Sequence, residues 1–332
     1  MSDLLRNVLD WCKNNKKIFV FSFVCFVVFT FLIFPFDDLT GYVSDQVYKG
    51  SNSRVTLMAS GMSLSVYPPG IKLSGDDETP LTIDSLDFPP NMPALELESV
   101  ALAPSITSLL QFKAGFFAKM NGLFGGDASL RYRQGDKVSD KSEVRQHVVG
   151  INADEIGADQ LANFLSLPFK IKGQVGMDVD ATIDPEFRGQ PESEFEINLD
   201  DLRIVGFNYI GMSIPTLDIK TAKIKGVLKD GELQLEQIQL GKKGDDIFGT
   251  INGQMKLRLV KVGNTIAPQF SSYRLNLDLT TASKLDKLLG FLDLVLPDIK
   301  KYKTRAAGGS RYNMALTGSS FRDTPRLSRP RR

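Results

Sequence analysis

The sequence predicts a mainly β fold: a large, elongated and folded antiparallel sheet behind a single N-terminal transmembrane helix, with two or three short helices. Three observations lead there. An uncharged run of 19 residues, Ile18–Phe36, stands near the N-terminus. Long stretches of the remaining chain alternate apolar and polar residues with a period of two, the spacing that sends successive side chains to opposite faces of a sheet. Asp230-Gly231 sits between two such stretches, and this dipeptide is a strong two-residue hairpin signal because glycine tolerates positive φ.

At ~1.5 Å per residue the uncharged run covers roughly 28 Å as a helix, close to the ~30 Å hydrocarbon core of a bilayer. Its only polar side chains are Ser22 and Thr30. Arg6, Lys13, Lys16 and Lys17 precede it, and Asp37 and Asp38 follow. Positive charge on the short N-terminal side puts residues 1–17 in the cytoplasm and the bulk of the chain across the membrane. "FPFDD" has no small-x-small cleavage site, so the run reads as an anchor and not a removed signal peptide. Residues 37–320 then form the exported β-rich domain. Both cysteines, Cys12 and Cys25, precede it, so it has no disulfide and depends on apolar burial. This fits a bacterial periplasm at least as well as an animal extracellular space.

"VTLMASGMSLSVYPPGIKL" opens the domain with loose alternation and a turn at Pro68-Pro69-Gly70. Strands follow at Leu95–Leu102, Val148–Ala153, Glu194–Leu199, Tyr273–Leu279 and Tyr312–Leu316. The clearest runs from Phe169 to Asp184. Its apolar positions include Phe169, Ile171, Val175, Met177, Val179 and Ile183, with Gly173 and Gly176 marking a bend or bulge. A second, "IFGTINGQMKLRL", sets Ile247, Ile251, Met255 and Leu257 on one side. Across the Asp230-Gly231 turn, Lys229 should face Glu232 and Leu228 should face Leu233. Helical spacing is confined to short pieces: "PSITSLLQF", "ADQLANFLSL" and "SKLDKLLGFLDLVL", each following a strand, as in a diverged internal repeat.

The net charge of +1 conceals a split. Residues 300–332 hold ten basic side chains and one acidic, Asp323; of 40 basic and 39 acidic in all, residues 1–299 keep 30 and 38, a net of −8. Residues 321–332, "FRDTPRLSRPRR", read as a basic disordered tail, either attracted to anionic headgroups or an acidic partner or simply solvated.

Catalytic constellations are missing. His147 is the only histidine, and there is no cysteine past Cys25. Walker A, GxSxG and GxGxxG motifs are absent. Asp178 and Asp180 fall on a polar strand face, and the two "GDD" stretches at 75–77 and 244–246 read as turn chemistry. The chain is therefore expected to be non-enzymatic, without metal or cofactor. The apolar sheet face must be covered by a second sheet, by helices or by lipid. The first two make it a dry core, and the third an interior that accepts acyl chains.

"FPFDDLTGYVSDQV", "SLSVYPPGIKL", "GVLKDGELQLEQIQLGKKGDDIFGTINGQMKL" and "YNMALTGSSFRDTPRL" together resemble the type II secretion system protein N family. That family is similar in turn to AsmA-like proteins, which are inner-membrane-anchored periplasmic β proteins linked to outer-membrane assembly and phospholipid traffic. The resemblance carries no catalytic residues. It implies an accessory component of a type II secretion system, its β domain a scaffold touching other secretion-system or envelope proteins. The alternative is a lipid-binding or lipid-transfer module whose apolar sheet face holds phospholipid acyl chains. Nucleic acid is not an expected partner. The Arg-rich end after Leu327 lies outside the family's pattern.

Overall fold

The computed structural model describes residues 17–18, 21–23, 25–26, 29, 36–65, 69–76, 78–85, 94–105, 108, 110–137, 145–164, 167, 169–184, 188–209, 212–262, 265–285, 298–320 and 324–330. The expected cytoplasmic segment lies almost wholly outside these residues, as does most of the expected span. Of the span, Ile18, Phe21–Phe23, Cys25, Phe26 and Phe29 are helical, and Ile18, Phe21, Phe23, Phe26 and Phe29 are exposed. Among the described residues no helix is long and apolar enough to cross a membrane.

A 3-10 turn at Phe36–Leu39 leads into helix α1 (Thr40–Gly50). Then come β1 (Val55–Met58), β2 (Gly61–Ser65), β3 (Gly70–Ser74), β4 (Leu81–Ser85), β5 (Leu95–Leu97), β6 (Ser99–Pro104), β7 (Gly115–Leu123), β8 (Gly126–Lys137) and β9 (Arg145–Gly157). Helix α2 (Ala158–Phe164) precedes β10 (Ile171–Ile183), β11 (Glu192–Ile204), β12 (Phe207–Tyr209), β13 (Met212–Ile214), β14 (Leu217–Lys229), β15 (Glu232–Leu240), β16 (Ile247–Val262) and β17 (Thr265–Ala282). The chain ends with β18 (Lys303–Ala306), β19 (Gly309–Gly318) and β20 (Arg326–Ser328). Fifteen strands make one antiparallel sheet in the order β18-β19-β17-β16-β15-β14-β11-β10-β9-β8-β7-β6-β3-β2, with β20 also on β19. Almost every strand pairs with its predecessor in the sheet, so the architecture is a long meander. β1, β4 and β5 form a separate small sheet, and β12 and β13 a side hairpin.

The Asp230-Gly231 turn has positive φ at both residues and pairs Lys229 with Glu232 and Leu228 with Leu233, the expected register. The expected strand Leu95–Leu102 is instead two, broken at Glu98. β5 joins the small sheet while β6 enters the large one. α1 carries no strong apolar stripe and was not foreseen. Of the three helical pieces, α2 forms, Ser283–Leu285 makes a 3-10 turn, and Ser108 and Leu110 are helical; residues 286–297 lie outside the described ones. The tail reading is corrected: Arg326–Ser328 is not disordered but pairs with Ala315–Thr317 as β20. Leu327 supplies the reason, since it packs on the cluster of Ile299, Tyr312 and Met314, and its carbonyl accepts a bond from Tyr302 Oη at 3.2 Å.

Three of the long strands slip their alternation by one residue. β15 reads Leu233, Leu235, then Ile238, Leu240; β9 reads Ile151, Ala153, then Ile156; β11 reads Ile197, Leu199, then Leu202, Ile204. The pairing register shifts at the slips in β15 and β9. In β9 and β11 a residue with positive φ, Glu155 and Asp201, stands at the slip. A bulge takes up one residue and returns the following side chains to the face they would have left. At Gly253 the backbones of β16 and β17 approach so closely that a Cβ would lie 2.1 Å from the Arg274 carbonyl oxygen, and φ is +150°. At Gly176 the nearest atom to a Cβ is 3.7 Å away. Urea unfolding should therefore separate these glycines. Gly176→Ala is expected within ~0.5 kcal/mol of the parent, and Gly253→Ala should lose roughly 2–4 kcal/mol.

Candidate functional site

The register of the sheet aligns apolar side chains in rows that run across the strands on one face. From Met177 toward the N-terminal edge the directly opposed residues are Ala153, Ala128, Met120, Val100, Leu73 and Met62. Toward the other edge they are Ile197, Ile224, Ile238, Ile251, Leu277 and Met314. The adjacent row starts from Val179. It passes one way through Ile151, Leu130, Ala118, Leu102, Ile71 and Leu64. The other way it passes through Phe195, Gly226, Leu235, Gly253, Leu275 and Leu316. No polar side chain interrupts either row. With strands ~4.8 Å apart, each row follows a path of roughly 60 Å.

The ends of the first row are covered. Met62, Leu73 and Val100 are buried with Leu57, Leu81 and Leu97 of the small sheet, against Phe36, Leu39, Val43 and Val47 from the first helical elements. At the far end Ile299, from the 3-10 turn Ile299–Tyr302, covers Tyr312 and Met314. Near the middle, Leu161 of α2 packs on the cluster of Ala128, Ala153 and Ile156, as do Val175 and Met177. Between these caps the second row is partly buried, with Leu235 at 8% exposure, and it is most open beside the N-terminal cap. In the second row Ile71 is 38% exposed and Leu102 37%, and Phe116 beside them is 40% exposed.

All ten apolar residues singled out in the sequence are half-buried, none of them fully: Phe169 just before β10; Ile171, Val175, Met177, Val179 and Ile183 on β10; Ile247, Ile251, Met255 and Leu257 on β16. Partial burial of this kind differs both from a fully buried core and from a bare sheet face. β10 and β16 do not touch in the sheet order; β11, β14 and β15 lie between. Register links them, with Met177 and Ile251 in one row. Sequence reading missed the intervening Ile197, Ile224 and Ile238, and Leu277 beyond Ile251. Over the six strands from β10 to β17 the face has a footprint of roughly 500 Å², large for one apolar patch.

The opposite face is charged. Asp178 lies opposite Glu196 and Asp180 opposite Glu194. Glu196 accepts a bond from Lys223 Nζ at 2.6 Å, which with Asn198 holds its carboxyl below the usual range. Arg131 stands 3.8 Å from Asp180. The "GDD" carboxylates serve the backbone. Asp76 accepts from Thr79 N and Oγ1, Asp245 from Lys220 N and Lys242 N, and Asp246 from Asp218 N while pairing with Lys284. His147 Nδ1 is 3.2 Å from Tyr132 Oη at the rim of the apolar face. Among the described residues no group of His, Cys, Asp or Glu is placed to hold a metal ion. This geometry offers an apolar surface with a charged back. No family model, curated protein or solved structure matches the chain.

Two tests follow. Arg311 donates to both oxygens of Asp278, at 2.8 and 2.6 Å, and lowers the Asp278 pKa chiefly through that bond. The lowered folded value gives stability that is present above the ordinary carboxylate pKa and lost as pH falls through the folded one. In Arg311→Ala the Asp278 titration, followed by NMR, should move up toward the ordinary value. Because both side chains are partly exposed, the loss in stability at neutral pH should stay below ~1 kcal/mol. Position also decides the cost of a buried charge. Leu73→Asp, at 1% exposure, should abolish cooperative folding or cost more than ~4 kcal/mol, whereas Val179→Asp should stay folded and lose at most ~2 kcal/mol in chemical denaturation.

Proposed function

We infer that the protein is a membrane-anchored, non-enzymatic carrier whose β domain holds phospholipid acyl chains along the apolar face of its sheet. Ile18–Phe36 spans a bacterial inner membrane with residues 1–17 in the cytoplasm, and the domain from Asp37 onward stands in the periplasm. The observation that carries this reading is the pair of uninterrupted apolar rows, whose side chains stay only partly buried over much of the sheet between their caps. A continuous apolar strip accepts a hydrocarbon chain at any point and offers a path along its length, which isolated pockets do not. The anchor is supported by the uncharged run, its basic and acidic flanks, and the exposed apolar side chains of its helical residues. The absence of catalysis is supported by the single histidine and the lack of cysteine beyond Cys25.

An accessory role in a type II secretion system is a second reading. It is favoured by the charged back of the sheet, where Asp178, Asp180, Glu194 and Glu196 sit together on a surface suited to envelope proteins.

Native mass spectrometry of residues 37–332, purified from a bacterial periplasm in mild conditions, tests the first reading. Phospholipid should co-purify in stoichiometric amount with the parent and be lost from folded Val179→Asp. A lipid-free parent that unfolds cooperatively would refute the carrier and favour the scaffold.

A further inference from the structure

The last strands of the chain form an edge unlike the rest of the sheet. β18 and β20 lie one after the other along the outer side of β19. Lys303 and Arg305 are paired with Tyr312 and Ser310, positions on the apolar side, and Lys303 Nζ stands 5.8 Å from the Tyr312 ring centroid. Arg326, paired with Thr317, and Arg311 belong to the charged side. Lys300 and Lys301 ride on the 3-10 turn whose Ile299 caps the apolar rows. Arg329 follows directly after β20. All seven cations are exposed, and the described residues beyond 298 add no acid to Asp298, which pairs with Lys301.

A charged edge strand discourages pairing with other sheets, and a lysine or two achieves that. That explanation covers the cations on β18 and β20 but not those on the cap. Nor does it cover the contrast with the other edge, where β2 (Gly61–Ser65) carries no charge. β2 belongs to the end where Phe36, the last residue of the uncharged run, and Leu39 pack on the cluster that holds Met62. The basic edge is at the opposite end of the strand order, where the rows reach Met314 and Leu316. Cations surround that end on both faces and over its cap.

We propose that this C-terminal edge docks end-on against an anionic bilayer surface, with Lys300, Lys303, Arg305, Arg326 and Arg329 among the phosphate headgroups. The apolar rows then end at the headgroup layer, away from the anchored end. Docking itself does not require the carrier reading; only the purpose of the alignment rests on it. A bilayer is favoured over a folded acidic partner because the cations form a rim around an apolar end and not a patch on one face. Such a rim matches a surface that is charged outside and hydrocarbon beneath.

The test uses the full-length chain in phosphatidylcholine nanodiscs, mixed with sedimentable vesicles of phosphatidylcholine alone or with an equal part of phosphatidylglycerol. Binding should require phosphatidylglycerol and weaken with added salt. Each cation near an anionic surface contributes about fivefold, so neutralising three should lower binding about a hundredfold. The triple variant Lys303→Gln/Arg305→Gln/Arg326→Gln should show that loss, and the corresponding triple Glu variant should lose more. Lys170→Glu/Lys172→Glu/Lys256→Glu, with the same change in net charge as the Glu triple and at exposed positions away from this edge, should bind like the parent. Circular dichroism confirms folding of each variant, and the Gln triple gives the readout if the Glu triple unfolds. Equal binding to both vesicles, equal loss in the control triple, or full competition by inorganic phosphate at matched ionic strength would each overturn the proposal. Vesicle binding by a protein that co-purifies without lipid would sustain the docking edge and sink the carrier. Loss of vesicle binding with bound lipid retained would sustain both.

Discussion

Strand register is the constraint on which the rest of this structure depends. In a sheet with one apolar and one charged face, a slip of one residue exchanges the two faces of a strand. Here the effect would be compounded, because each row passes through more than a dozen strands and a single slipped strand cuts all of them. Val179 lies opposite Ile151 and Phe195, while its neighbours Asp178 and Asp180 lie opposite Asn152 and Gly150 on one side and Glu196 and Glu194 on the other. Moving β10 by one position would put two carboxylates into the apolar row and a valine among charges. The meander makes such a slip hard, because its tight turns set pairing locally. The Asp230-Gly231 turn sets β14 against β15, and Phe124-Gly125 sets β7 against β8.

Bulges reconcile this register with a chain whose alternation is imperfect. The pattern Leu233, Leu235, Ile238, Leu240 looks like a broken strand when read with a strict period of two. With one residue taken up at Glu236–Gln237, all four face the same way, and Ile238 meets Ile224 while Leu235 meets Gly226. Phase slips in the sequence therefore marked places where the sheet bends, not where strands end. The same physics made the architecture legible. Period-two alternation and the Asp-Gly turn are enough for an antiparallel sheet, and a strand that carries a bulge runs past its stretch of unbroken alternation. The β11 strand expected at Glu194–Leu199 runs through Asp200–Asp201 to Ile204.

Less of the candidate site could be read. Phe169–Ile183 and Ile247–Leu257 stood out because their alternation is unbroken, yet the feature that matters is the row, and a row joins residues from strands far apart in sequence. Single-strand patterns show that Met177 and Ile251 each face the apolar side. They do not show that Ile197, Ile224 and Ile238 bridge them. The covering of the ends was also hidden. α1 lacks a clear apolar stripe, and its Val43 and Val47 find their place only because the small sheet brings Leu57, Leu81 and Leu97 beside Met62 and Leu73. The C-terminal segment looked like solvated tail on composition. One leucine, Leu327, against Ile299 and Tyr312 was enough to draw Arg326–Ser328 onto the sheet edge.

An open apolar face of this kind is stable because rows shield their own members. Each side chain is flanked along and across the strands by others, so half its surface is gone before anything covers the face. The shielding is greatest where a large residue lies beside glycine: the Phe195 ring lies over Gly226 and the Tyr273 ring over Gly318, leaving low places between higher aliphatic side chains. The roughly 500 Å² footprint between the caps is worth about 12 kcal/mol if wholly removed from water, at ~25 cal/mol per Å². Covering half of it returns about 6 kcal/mol before the costs of association, which are of similar size. A single hydrocarbon chain would thus gain little on this face, whereas the two chains of one phospholipid, covering all of it, would gain about 12 kcal/mol against a single association cost. Holding spread evenly over a row would suit passage along it in the proposed carrier. A tight pocket would instead need a deep, enclosed site, and these partly buried rows do not build one.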